Sequence, residues 1–354
     1  MSDQAAFVFK GIPARVVFGS GTLVQAGDEL DRLNRKKALV LSTPEQADAA
    51  EALAAQLGPR AAGVFAGARM HTPLAVTEAA IERFGAAGAD CIVALGGGST
   101  IGLGKAIATR TGADQIAIPT TYAGSEMTDI LGETAEGQKV TRRDPSILPE
   151  TVIYDVDLTL SLPVPLSICS ALNAIAHAAE ALYAPDRNPV VSLLAADAVR
   201  AFHRALPVLS HDPANAGARS DALYGAWLCG IALGQTSMGL HHKLCHILGG
   251  SFDLPHAETH SILLPHTVGY NAPAVPEMLR PLAEVFDAQP GKGLWQFARD
   301  IGAPLKLADL GMAEDDLDRA ADLAVANPYA NPRPIERDAI RKMLQNAWEG
   351  APPA

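Results

Sequence analysis

The sequence predicts a two-part chain, an α/β N-terminal half on a parallel sheet followed by an all-α C-terminal half. Three observations carry that expectation. From residue 14 to about 155, short β-rich apolar runs alternate with stretches of helical spacing, the pattern of a parallel sheet with crossover helices. After Asp157 the β signal ends, and Ala/Leu-rich stretches recur at helical spacing. The chain has 354 residues, 48% of them hydrophobic, and a domain typically takes about 100–200 residues.

The strand runs are Ala14–Phe18, Ala38–Ser42, Gly63–Phe65, Cys91–Leu95, Ile116–Ile118 and Thr151–Tyr154, with helical stretches near 44–57, 74–87 and 100–110. Helices are expected in the second half at 166–184, 188–207, 213–237, 240–250, 275–286, 313–325 and 335–348. The turn-rich text around Asp155-Val-Asp157 and Pro163-Val-Pro165 sets domains of 1–157 and 158–354, with an active-site cleft expected between them. Ala6–Phe9 reads as a strand, at a dimer axis or a sheet edge. Ala351–Ala354 reads as a disordered tail.

Twenty-eight basic residues against 39 acidic ones give a net charge of −11, which repels phosphate backbones and anionic lipid, so neither nucleic acid nor membrane is expected as a partner. No basic leader segment and no long apolar run is present, so a cytoplasmic protein is expected. Cys91, Cys169, Cys229 and Cys245 stand in apolar text without CxxC spacing. They read as reduced, buried thiols.

The strongest local signal is Cys91-Ile-Val-Ala-Leu-Gly96-Gly97-Gly98-Ser99-Thr100. A buried strand running through glycines into a helix lets backbone N–H groups approach a pyrophosphate, and the helix N-terminus adds its positive end; Ser99 is the expected cap. A GxGxxG fingerprint at the first strand is absent, so a dinucleotide is expected at this internal turn. A second turn, Pro119-Thr120-Thr121-Tyr122-Ala-Gly124-Ser125-Glu126, also follows an apolar strand. Its hydroxyls suit a ribose or nicotinamide, though a plain hydroxyl-rich turn would read the same.

Six of the ten histidines, His241, His242, His246, His256, His260 and His266, fall between 241 and 266. A window of that length would hold about one at this composition. His242 and His246 are four apart on one helix face, as are Asn173 and His177 upstream. Two such pairs from different helices are how helical bundles build divalent-metal sites.

At these residues the chain resembles the iron-containing alcohol dehydrogenase superfamily, and within it the maleylacetate reductases, over nearly its whole length. The resemblance rests on GGGSTIGLGK from Gly96, PTTYAGSE from Pro119 and HHKLCH from His241. It implies a Rossmann-like dinucleotide-binding domain plus a helical domain, the fold shared with dehydroquinate synthase. It also implies NADH as cofactor with NADPH possible, held by Gly96, Gly97, Gly98, Ser99, Thr120, Thr121, Tyr122, Ser125, Lys139, Leu158 and Ser42. Cytoplasmic homodimers are common among such relatives. The family's metal ligands fall at Asn173, His177, His242 and His256. Asparagine at 173 replaces the one anionic ligand, so metal is not required and only weak Zn or Fe binding is expected.

The implied reaction is reduction of the C=C bond of maleylacetate to 3-oxoadipate in breakdown of aromatic compounds. His177, His242, His246, His256 and Lys243 are the catalytic candidates, since imidazoles stabilise an oxyanion and deliver a proton near neutrality. A small dicarboxylate needs local positive charge, for which Lys243, Arg142 and Arg143 are candidates, with Tyr122, Asn173 and Tyr329 lining the site. Surface pairing of the arginines with Asp144 and Glu150 is the plainer reading. The alternative activity is a metal-dependent alcohol or polyol dehydrogenase.

Overall fold

The computed structural model describes residues 7, 9, 11, 12, 14–135, 138–326 and 329–354, without the side chains of Ala135, Gln138 and Lys139. Its contacts divide the chain into two compact units, with the change at Leu162/Pro163. The sequence places the change at Asp157. Leu158 packs against the apolar core of the sheet, which keeps the turn after the last strand with the first unit. Of the expected Ala6–Phe9 strand, only Phe7 and Phe9 are among the described residues; neither is in a strand.

The first unit runs β1 (Arg15–Gly19), α1 (Ala26–Arg32), β2 (Ala38–Leu41), α2 (Ala47–Leu57), β3 (Ala61–Phe65), α3 (Leu74–Ala86), β4 (Cys91–Gly96), α4 (Gly98–Thr111), β5 (Asp114–Pro119), β6 (Ile130–Ala135), β7 (Gln138–Arg143) and β8 (Thr151–Asp155). Six strands form one parallel sheet in the order β1-β8-β5-β4-β2-β3. Strands β2, β4 and β8 are buried along their whole length, as a sheet covered on both faces requires. Val40, Val93, Ile116 and Ile153 fill the core on one face; Leu39, Leu41, Ile92 and Leu103 fill it on the other. The chain steps outward from β2 to β3, then returns across β2 to β4. The carboxyl ends of β2 and β4 therefore flank a topological switch point, where doubly wound sheets bind ligands.

The hairpin β6–β7, pairing Ile130 with Arg143 through Ala135 with Gln138, was not expected from the sequence. Its second strand, QKVTRR, has too few apolar residues to stand out.

The second unit holds α5 (Val164–Tyr183), α6 (Pro189–Leu209), α7 (Ala216–Gln235), α8 (Leu240–Phe252), α9 (His256–Asn271), α10 (Arg280–Phe286), α11 (Pro290–Asp300), α12 (Asp316–Ala326) and α13 (Arg337–Glu349). No strand occurs among its described residues. Helix α5 is buried on every face from Ala171 to Tyr183, because its alanines let α6, α7 and α9 approach closely. Helices α9 and α11 escaped the sequence reading: α9 is buried all round and contains Pro265, so it shows no single apolar stripe, and α11, though it buries Leu294, Phe297 and Ala298 on one face, opens on the turn-like text PGKG. The tail expected to be disordered is placed, with Pro353 buried against Gly269 of α9.

Candidate active site

In the sheet unit the β4–α4 turn has a backbone that only glycine accommodates. Gly96 has φ 153°, and a Cβ there would lie 2.4 Å from Thr100 Oγ1. A Cβ on Gly97 would meet Thr121 at 3.0 Å. Gly97 is the N-cap of α4 and Gly98 its first residue, with no side chain capping the helix. Ser99 therefore sits inside the first turn and is not the cap the sequence suggested, because the extended backbone at Gly97 starts the helix earlier. The uncapped amides leave room and positive potential for a phosphate.

The neighbouring loop closes around that turn. Thr120 N–H donates to the Gly96 carbonyl (3.2 Å), and Thr120 Oγ1 accepts from Gln46 Nε2 across the switch point (2.9 Å). Ser42, at the end of β2, is buried with its hydroxyl unpartnered. Tyr122 is fully buried. Lys105 of α4, which the sequence reading passed over, donates from Nζ to the carbonyls of Ser125 (2.6 Å) and Ile130 (3.0 Å) and to Thr128 Oγ1 (2.9 Å). Burial brings Lys105 down to about 7, against the pull of Glu126 and Asp129. The backbone of Lys139 lies in β7, while its side chain falls outside the described residues. Arg142 and Arg143, on the same strand, pair with Glu133 (3.4 Å) and Asp129 (3.3 Å). Those partners differ from the Asp144 and Glu150 of the plainer reading, because the hairpin sets β6 beside β7.

In the helical unit, α5 carries Asn173, His177 and Glu180 on one face, α8 carries His242 and His246, and α9 carries His256 and His260. The rings converge. His177 stacks on His242 with centroids 5.0 Å apart, His242 lies 5.1 Å from His260 and 6.4 Å from His246, and His260 lies 4.4 Å from His256. His177, His242 and His260 are buried, whereas His246 and His256 are exposed.

Glu180 organises this cluster, although the sequence reading gave it no role. Its carboxylate accepts from the backbone N–H of Gly239 (3.0 Å) and His241 (2.8 Å), so it caps α8 from a neighbouring helix. It also accepts from His242 Nδ1 at 2.6 Å. Burial by itself would raise the Glu180 acid; the His242 hydrogen bond, the nearby rings and the Gly239 amide instead hold it down to about 2.

A second chain of hydrogen bonds fixes two further tautomers. The Thr267 hydroxyl lies 3.1 Å from both the Leu263 and Leu264 carbonyls and donates there, leaving its oxygen to accept from His241 Nδ1–H at 3.0 Å. His241 Nε2 then accepts from His260 Nδ1–H at 2.9 Å. His260 Nε2 is consequently a bare lone pair, and both it and His242 Nε2 are buried without a protein partner. Burial, reinforced by the neighbouring imidazoles, pushes His177 and His260 far below their usual range. His241 falls to about 3 for the same first cause. Only the spacing of His256 and His260, four apart, could have signalled the second chain from sequence.

Lys243 has no ion-pair partner among the described residues, and its Nζ lies 5.7 Å from the Tyr329 ring centroid. The Tyr329 hydroxyl is buried and unpartnered.

Family models for "Iron-containing alcohol dehydrogenase" and "Fe-containing alcohol dehydrogenase family, C-terminal" match residues 13–156 and 167–348. The chain belongs to the iron-containing alcohol dehydrogenase family. It is therefore an oxidoreductase. A maleylacetate reductase from Rhizobium sp. (strain MTP-10005) is 60% identical over 347 residues, covering 98% of this chain and 99% of the relative. The crystal structure of maleylacetate reductase from Agrobacterium tumefaciens superposes with a TM-score of 0.97 at 60% identity, covering 99% and 100%. That of the iron-containing alcohol dehydrogenase from Corynebacterium glutamicum gives 0.93 at 38%, covering 98% of each.

The metal in the family's name is poorly matched by these donors. Asn173 Oδ1, buried and unpartnered, would join three imidazoles in a set without an anion, since Glu180 is taken up by His242 and α8. Among the described residues, only His241, Cys245 and His260 bring three potential ligand atoms within 4.8 Å of one another. There the two imidazole nitrogens share a hydrogen bond at 2.9 Å, closer than the roughly 3.3 Å that separates two ligands of one tetrahedral metal ion. The first set lacks the carboxylate that would strengthen its hold on a divalent cation, and the second is closed by its own hydrogen bond.

Proposed function

We propose that this protein reduces the C=C bond of maleylacetate to give 3-oxoadipate, with NADH as cofactor and NADPH also accepted. The observation that carries this is the pair of orphaned histidine Nε2 atoms, held by fixed tautomers in a site whose donor set lacks an anionic metal ligand. The identity to maleylacetate reductases supports it.

The glycine turn, Thr120, Thr121, Tyr122, Ser125, Ser42, Leu158 and Lys139 are the cofactor's contacts in this reading. The absence of a carboxylate at the end of β2 favours tolerance of a 2′-phosphate. When bound, the nicotinamide supplies hydride to the alkene carbon β to the ketone. His242, its Nδ1–H held by the Glu180 carboxylate, acts in this reading as the doubly protonated ring, whose second N–H, on Nε2, donates to the enolate oxygen as negative charge develops there. His256, exposed and backed by His260, delivers the proton to the α carbon and recovers it from solvent. His177 packs against His242, and His246 borders the cluster beside it. Lys243, Asn173 and Tyr329 hold the carboxylates in this reading, while Arg142 and Arg143 are ion-paired with Glu133 and Asp129. No metal is required, and a cytoplasmic homodimer completes the reading. The four described cysteines are free and buried, and no helix of the described residues is long and apolar enough to cross a membrane.

Deuterium labelling tests the sequence of events. With NADH deuterated on the transferred position, the label should appear on the product carbon β to the ketone, and D2O should label the α carbon. A carbinol carrying the label, with the alkene intact, would instead identify carbonyl reduction, the alcohol dehydrogenase alternative.

A further inference from the structure

Thr267, His241 and His260 are fully buried and none is among the reacting groups, yet their hydrogen bonds all run one way. The Thr267 hydroxyl donates one turn back along α9, where it lies within reach of the Leu263 and Leu264 carbonyls, as a threonine inside a helix commonly does. Its oxygen is left to accept, so the nitrogen 3.0 Å away, His241 Nδ1, carries the proton. The other side of the His241 ring agrees. Two donors meet its Nε2: His260 Nδ1 at 2.9 Å and the Cys245 thiol at 3.6 Å, which burial keeps protonated. A neutral imidazole has one N–H, so the proton on His260 Nδ1 leaves Nε2 bare. Of the rings around His260, that of His256 is nearest, with centroids 4.4 Å apart.

We propose that Thr267 is a positioning residue for the proton-delivery step: acting through His241, it keeps His260 an acceptor, so that a lone pair and never an N–H stands next to His256. The His256 ring, which is exposed, then has a fixed acceptor on which one N–H can rest while the other faces the substrate. Removing the Thr267 oxygen reverses the chain. With Thr267→Val, which keeps the shape of the side chain, His241 escapes a buried unsatisfied N–H by carrying its proton on Nε2. That N–H donates to His260 Nδ1, the His260 proton moves to Nε2, and His256 faces a donor. The kinetic effect rests on the reaction proposed above; the tautomers stand apart from it.

Ring spectra of the full-length protein, labelled with 15N in its histidines, tell a protonated nitrogen from a bare one, and the His260 signals are identified by their loss in His260→Asn. Wild type should carry the His260 proton on Nδ1, and Thr267→Val should carry it on Nε2. The same variant should lower kcat about tenfold or more and leave the KM for maleylacetate within about twofold. It should also enlarge the effect of D2O on kcat and not that of deuterated NADH, because only proton delivery is slowed. Thr267→Ser should restore both the spectrum and the rate. A wild-type His260 proton on Nε2 would overturn the proposal, and that result needs no variant, so it decides the matter even where Thr267→Val fails to fold. So would a Thr267→Val protein in which His260 keeps its tautomer, or in which it reverses at unchanged kcat. A wild type that oxidises no NADH with maleylacetate would instead count against the reductase reading, while its His260 spectrum still tests the chain of tautomers.

Discussion

At the scale of single residues, the proposed reaction turns on the hydrogen-bonded pair of His242 and Glu180. Glu180→Gln keeps the shape but loses the anion that fixes the His242 ring and caps α8. Charged hydrogen bonds of this kind contribute about 1.5–3 kcal/mol each, so a lower melting temperature and a kcat reduced about ten- to a hundredfold are expected. Wild-type kcat in Glu180→Gln would show that the ring needs no such tether. His242→Asn should lower kcat about a hundredfold or more, with a smaller change in KM. The buried histidines also set an acid limit. Burial holds His241 down to about 3 and His266 to about 4. An unfolded chain takes up those protons as pH falls through about 6.5, so it binds more protons than the folded one. The stability they contribute is complete above that pH and drains away below it, by up to about 1.4 kcal/mol per pH unit for each ring. Denaturant unfolding at a series of pH values checks this, and a free energy that stays flat from neutrality to pH 5 would contradict it.

Among the elements, α4 and its glycine turn are where stability and the proposed cofactor binding meet. Gly96→Ala puts a methyl against Thr100 and should raise the Kd for NADH about tenfold or more, read by cofactor fluorescence. Lys105→Met strands the three oxygens that Nζ now holds. It should cost roughly 2–4 kcal/mol of stability and weaken NADH binding through the loosened Ser125–Ile130 segment. Unchanged NADH affinity in a folded Lys105→Met protein would confine the lysine to stability. Strand periodicity, the glycine triplet and the i, i+4 histidine pairs were legible because each repeats at the period of its own element. Glu180 was not, since its partners lie about sixty residues away on α8. Helix α9 was hidden by burial on all sides. The same holds for Lys105, whose acceptors are backbone carbonyls that no motif announces.

Across the whole molecule, the two-unit architecture and the family were readable from residue text, because the motif-bearing turns and the helical half are continuous stretches of chain. The change of unit was off by the short turn that Leu158 binds to the sheet core. What the text could not supply was how donors converge: Asn173 predicts weak metal binding, but only the structure shows His241, His260 and Thr267 joined in one chain of hydrogen bonds beside His242. The most direct measurement follows NADH absorbance with maleylacetate, using protein stripped with a strong chelator and then resupplied with Zn or Fe. Rapid NADH oxidation by the stripped enzyme, not increased by either metal, is the expected result. Activity that appears only with added metal, and only toward alcohols or aldehydes, would contradict the account.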